Sequence, residues 1–250
     1  MKDSWFELRR FTQARIAQGR AGCATPTSAQ LDFQLAHAMA RDAVLQPWQT
    51  KPIITALTLQ GWESLELTTA IDNRQHYLQR PDLGRCLDQF SRELLKSRCS
   101  PSIDVALIIS NGLSSAAVDS HGLSLVEAIL PTYRKYNISV GPICLVPNAR
   151  VAVADEIGAL LDAKVSVIVV GERPGLSAAD SLGIYLTYAP CQDNTDANRN
   201  CISNIRPPFG LDYQPAADKL AYLTQQALQR QISGVALKDD MPKSGYLGEK

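Results

Sequence analysis

Four short, almost unbroken apolar runs in the second half of the chain limit what it can fold into more than anything else. They are Asp104–Ser110, Ser139–Val146, Lys164–Val170 and Gly183–Tyr188. A strand with one wet face alternates apolar and polar residues, whereas a run without alternation is buried on both faces, as in parallel sheets covered by helices. Helical stretches at 114–136 and 151–163 separate the first three runs. This βαβαβ order predicts an α/β fold, a parallel sheet with helices on both sides. With 250 residues and 45% apolar content, the chain can bury a core of that size.

The flanks read differently. Residues 3–20 predict a helix that stops at Gly19 and Gly22. Pro26 precedes a second helix, where Thr27 with Gln30 fits a capping box and Leu31, Leu35 and Met39 share one face. Residues 63–70 alternate as a strand, and Pro81 opens a helical stretch over Asp82–Lys96. Near the end, Ala216, Leu220, Leu223, Ala227, Leu228 and Ile232 recur at helical spacing, with Gly234 as a stop. The chain therefore divides into a mainly helical N-terminal segment (1–100), a sheet domain (101–237) and a flexible polar tail (238–250).

Charge narrows the partners. Lys plus Arg and Asp plus Glu are 25 each, so no net field draws the chain to nucleic acid or anionic lipid. Aromatics are 6%, too few for a base-stacking surface. No apolar run has the length of a membrane span. The six cysteines form no C-x-x-C pair and no signal-like segment precedes them, which predicts reduced thiols in a cytoplasmic protein.

In an open parallel sheet, ligands bind beyond the carboxyl ends of the strands. Four loops are expected on that rim: Asn111–Ser115, Pro147–Val151, Gly171–Gly175, and a long loop ending in Asn200–Asn204. Each has a plain alternative: a turn at Asn111-Gly112, a solvated charge pair at Glu172-Arg173, a small buried hydrophobe at Cys201. No phosphate-binding glycine motif, no H-E-x-x-H and no nucleophile elbow occurs, and His37, His76 and His121 lie in separate segments. No residue is assigned a catalytic or metal-ligating role. Asp119-Ser120-His121 opens like the D-x-H-x-x-G signature of cobalt-ligating proteins, but Ser124 holds the glycine position.

Five strings occur in register: Gly19–Gly22, Leu31–Ala38, Tyr77–Arg85, Gly171–Leu176 and Cys201–Ile205. Together they resemble the small (light) subunit of ethanolamine ammonia-lyase, over residues 7–237. The resemblance implies a Rossmann-like, cobalamin-binding domain at 101–237 and a role in deaminating ethanolamine to acetaldehyde and ammonia with adenosylcobalamin, held base-on. It implies a large-subunit partner, a TIM barrel carrying substrate and radical chemistry, in a hexamer of heterodimers. It assigns Val151, Glu172 and Cys201 to cofactor binding and gives this chain no activity alone. Asn111 departs from the family's usual acid, and Asn148-Ala149 from an aromatic and a glycine. The N-terminal extension that targets some members to bacterial microcompartments is not seen, so enclosure in one stays open. A stand-alone nucleotide- or cobalamin-binding regulatory module is the alternative, and a self-sufficient hydrolase lacks its catalytic groups.

Overall fold

The protein, analysed as a computed structural model, is described over residues 3–98 and 103–242. The expected boundary at 100/101, Cys99 and the tail from 243 lie outside the described residues.

In chain order the helices and strands are α1 (Thr27–Leu45), α2 (Lys51–Leu59), β1 (Ser64–Glu66), α3 (Arg74–Gln79), α4 (Gln89–Lys96) and β2 (Ile103–Ser110). They continue with α5 (Ser115–Ala117), a π-turn (Val118–Gly122), α6 (Leu123–Lys135), β3 (Ile143–Leu145), α7 (Val153–Leu160) and β4 (Ala163–Gly171). The last are β5 (Leu182–Tyr188), β6 (Arg199–Ile205) and α8 (Tyr213–Arg230). All six strands form one sheet in the order β1-β3-β2-β4-β5-β6. Part of the N-terminal hundred residues thus enters the sheet, through β1 on β3.

The apolar runs become two-sided strands. Val105, Leu107, Ile109, Val165, Val167 and Val169 face a core shared with α2, α6 and α8. Ala106, Ile108, Ile168 and Val170 face the opposite core, under α4 and α7. Each fully buried aliphatic side chain contributes about 1.5–3 kcal/mol, so the central β2–β4 pair anchors the fold.

The sheet is mixed, not parallel throughout. β1 to β4 run parallel, but β5 is antiparallel to β4 and β6 to β5. The reason is the connection. Only residues 172–181, without a helix, join β4 to β5, and a parallel crossover needs a dozen or more, usually helical. The segment expected to be a loop at 200–204 is strand β6. Its sequence, Arg-Asn-Cys-Ile-Ser-Asn-Ile, is polar because it forms the sheet edge, with Cys201, Ser203 and Asn204 exposed.

The flanks depart further. The helix expected at 3–20 is a single 3-10 stretch, Phe6–Phe11, with every residue exposed. Without a surface to bury its apolar stripe, a short helix has little support. No capping box forms at Thr27, because Pro26 takes the cap position and Thr27 is already helical. The helix expected from Asp82 begins at Gln89, where the Asp88 carboxylate accepts from Ser91 N. The Ser139–Val146 strand is shorter, since Gly141-Pro142 interrupts its ladder.

No helix among the described residues is long and apolar enough to cross a membrane.

Candidate functional site

The parallel strands bring the loops after β2, β3 and β4 to one rim, and there they interlock. Gly112 has φ +46, and a Cβ on it would sit 2.3 Å from Val170 Cγ2. A Cβ on Gly171 would sit 2.2 Å from Ser114 O and 2.4 Å from Asn111 O. The end of β4 therefore passes against the loop after β2 at a distance only glycine permits. Asn111, 1% exposed, joins that loop to the one after β3. Its Nδ2 donates to Ser115 Oγ at 2.9 Å and its Oδ1 accepts from Asn148 N at 2.7 Å. Asn148 has φ 54, a left-handed conformation that asparagine tolerates.

Arg74 on α3 reaches into the same node. Its Nε donates to Val44 O at 2.6 Å, and its Nη1 to Gly112 O at 2.7 Å and Asn148 Oδ1 at 3.0 Å. The Tyr77 ring lies beneath it, 4.9 Å from the Arg74 guanidinium and 4.5 Å from that of Arg150. The Tyr77 hydroxyl donates to Ala149 O at 3.1 Å. Burial pushes the Tyr77 phenol above its ordinary range and the Arg74 guanidinium below its own.

This node forms one wall of a cavity of about 430 Å³, lined also by Leu113, Val151, Glu172 and Tyr185. It opens on the α7 side of the sheet, where Val151, Val170 and Tyr185 pack against the core under α7. Glu172 follows the last residue of β4. Its carboxylate accepts from Asn204 N at 3.2 and 3.4 Å. It lies over Gly183, where a Cβ would come within 3.0 Å of Oε1.

Two of the three expected site residues, Val151 and Glu172, line this cavity. Cys201 does not. It sits within β6, paired with Tyr185, and lines a separate hollow with Ser203 and Lys219. Tyr185 connects the two, for it pairs with Cys201 across the strands and its side chain lines the cavity. Although the strand edge leaves part of Cys201 exposed, burial around its sulfur first, and then the Glu172 charge, pushes the thiol up, so it is protonated and weakly polar at neutral pH. Sequence reasoning passed over Arg74, Tyr77, Arg150 and Tyr185. The signal available was the Tyr77–Arg85 string outside the sheet, and an arginine directly before Val151.

His121 lies elsewhere, 8% exposed on the π-turn, with Nδ1 2.7 Å from the Tyr213 hydroxyl. No three His, Cys, Asp or Glu side chains among the described residues converge to hold a metal.

Beyond the sheet, α1 presents Leu31, Leu35 and Met39 to solvent, 58%, 63% and 57% exposed, and buries only Ala43.

Comparison with known proteins agrees along nearly the whole chain. The family model described as ethanolamine ammonia-lyase light chain (EutC) matches residues 2–238. The chain is similar to the ethanolamine ammonia-lyase small subunit of Pseudomonas aeruginosa strain UCBPP-PA14, 49% identical over 99% of this chain and 92% of that protein. It is also similar to those of Pseudomonas fluorescens strain SBW25, 50% identical over 94% and 86%, and Ralstonia nicotianae, 50% identical over 95% and 89%.

Proposed function

The chain belongs to the ethanolamine ammonia-lyase light-chain family, and from that premise we propose that it is the cofactor-covering subunit of a two-subunit, adenosylcobalamin-dependent lyase. The reaction is deamination of ethanolamine to acetaldehyde and ammonia, with the substrate on the large subunit. The observation that carries this reading is the rim cavity shared by Val151 and Glu172. The alternative, a self-contained regulatory module, fits the solvent-facing Leu31, Leu35 and Met39 less well, since such a stripe marks an interaction surface.

The residues present fit a large macrocycle edged with amides. Val151 and Leu113 supply an apolar wall, the Glu172 carboxylate accepts from N–H donors, and the Arg150 guanidinium has a buried Nε without a partner. Bound adenosylcobalamin supplies homolysis of its carbon–cobalt bond, the source of the radical that the chemistry needs. This chain's residues bind, orient and exclude water. Glu172 is fixed by Asn204 N at the β4 terminus, and Tyr185 lines the cavity beside it. No residue here moves a proton of the substrate. In this reading the segments at 19–38 and 77–85 serve the large subunit, in a hexamer of heterodimers.

Acetaldehyde formation from ethanolamine and adenosylcobalamin tests the proposal, using this chain, its large subunit, and both together. Activity in the mixture alone is expected, with Glu172→Ala raising the cofactor concentration required by about tenfold, near 1.4 kcal/mol. An inactive mixture of folded chains sinks the reading.

A further inference from the structure

Glu172 stands beside an irregularity in the sheet. Leu182 pairs with Ile205 and Ile184 with Ile202, so Gly183 alone faces two residues, Ser203 and Asn204. This is a β-bulge, which leaves the extra residue out of the ladder and re-aims what lies beside it. Asn204 takes the left-handed conformation, φ 59, and its N–H donates to the Glu172 carboxylate at 3.2 Å. Gly183 opposite makes the space, for a Cβ there would come within 3.0 Å of Glu172 Oε1 and 3.2 Å of its Cγ.

A strand with one extra residue has a second register open to it, and a slip of one residue turns every side chain to the other face. What holds the observed register lies outside the ladder. Just beyond the Leu182–Ile205 pair, Arg206 Nε donates to the Asp180 carboxylate. The Arg206 side chain is only 14% exposed, which limits screening of the pair. Its guanidinium stacks on Phe209 at 5.3 Å, its backbone N–H donates to Leu211 O at 3.1 Å, and its carbonyl accepts from Gly210 N at 2.7 Å. Leu211 N returns to Asn204 O at 2.8 Å, and a Cβ on Gly210 would sit 2.3 Å from that oxygen. Asn204 and Arg206 therefore share one tight turn. Asp180 belongs to the other side of the site. It precedes Ser181, whose carbonyl accepts from Glu172 N at 3.0 Å. Its second oxygen lies 3.5 Å from His121 Nε2, and Ala179 O beside it accepts from Ser114 Oγ at 2.8 Å. One ion pair thus joins the turn that offers the Asn204 N–H to the loop that carries Glu172.

We propose that Asp180 and Arg206 are positioning residues for Glu172: by fixing the register of the bulge they aim its carboxylate into the rim cavity. The inference rests on the reading that Glu172 faces the cofactor. Neither residue of the pair lines that cavity, so the pair acts through Glu172 and not by contact with a ligand.

The test is a double-mutant cycle on the assembled two-subunit complex, with cyanocobalamin binding followed by the visible spectrum. Arg206→Met alone lowers affinity by about threefold to tenfold, no more than Glu172→Ala does. Added to Glu172→Ala, it lowers affinity by less than about twofold further. Arg206→Lys, which keeps a charge for Asp180, recovers most of the loss. Asp180→Asn repeats the cycle if Arg206→Met does not assemble. A second readout needs no ligand: in the cofactor-free complex, amide exchange across residues 202–205 is faster in Arg206→Met by about tenfold or more. Additive losses in the cycle overturn the proposal, as does unchanged affinity in Arg206→Met. Unchanged exchange overturns the fixing of the register. A wild-type complex that binds no cyanocobalamin overturns the cobalamin reading, and the link from the bulge to the cofactor with it.

Discussion

Two residues that depart from the family's usual pattern, Asn111 and Asn148, are hydrogen-bonded to each other at 2.7 Å. The bond uses the backbone N–H of residue 148, so it depends on the Asn111 side chain and not on that of Asn148. An amide at 111 accepts from Asn148 N while donating to Ser115, which an ionised acid cannot do. Nothing in a single sequence shows such pairing, because the partners are 37 residues apart. The Arg199–Asp155 pair, both nearly sealed from water, was invisible for the same reason. It fastens α7 to β6. Arg199→Met, which strands the Asp155 carboxylate, is expected to destabilise the fold by about 3–5 kcal/mol. Arg199→Met with Asp155→Leu recovers most of that loss. Urea denaturation of both variants checks this, and equal losses would contradict it.

Elements were legible where burial was two-sided. Strands β2, β4 and β5 follow from unbroken apolar runs and α8 from a core face that recurs at helical spacing, whereas α1 shows that spacing on a face turned to solvent. Edge β6 did not, because half its side chains face water and its pattern resembles a loop. The same limit misplaced one candidate residue: Val151 and Glu172 stand at strand-end loops, as expected, whereas Cys201 stands inside a strand. Helices α2 and α3 are too short to declare a period. What the strings do not reveal is how tightly elements meet. The crossing at Gly171 leaves no room for a methyl group beside Ser114 O and Asn111 O. Gly171→Ala is expected to cost about 1–3 kcal/mol by overpacking, seen as a lower urea midpoint, and to widen the cavity mouth. An unchanged midpoint would mean that the loops separate without strain.

For the whole molecule, the exposed stripe on α1 is the surface that the proposed function gives to the partner. Replacing Leu31 and Leu35 with Glu should leave the melting temperature of the isolated chain nearly unchanged, because neither side chain is buried. It should weaken the complex with the large subunit by about tenfold or more, measured by analytical ultracentrifugation. An undiminished complex would place the interface elsewhere. Arg74 gives this arrangement a further consequence. One guanidinium grips the end of α1 at Val44 O, the loop after β2 at Gly112 O and the loop after β3 at Asn148. Anything that holds α1 still also holds the cavity wall, so if a partner sits on α1 and a cofactor in the cavity, as proposed, the two binding equilibria share a free energy. Linkage then works in both directions: a seated partner tightens the cofactor by the factor by which a seated cofactor tightens the partner. On that proposed reading, a shortage of the cofactor leaves the complex looser, not merely idle.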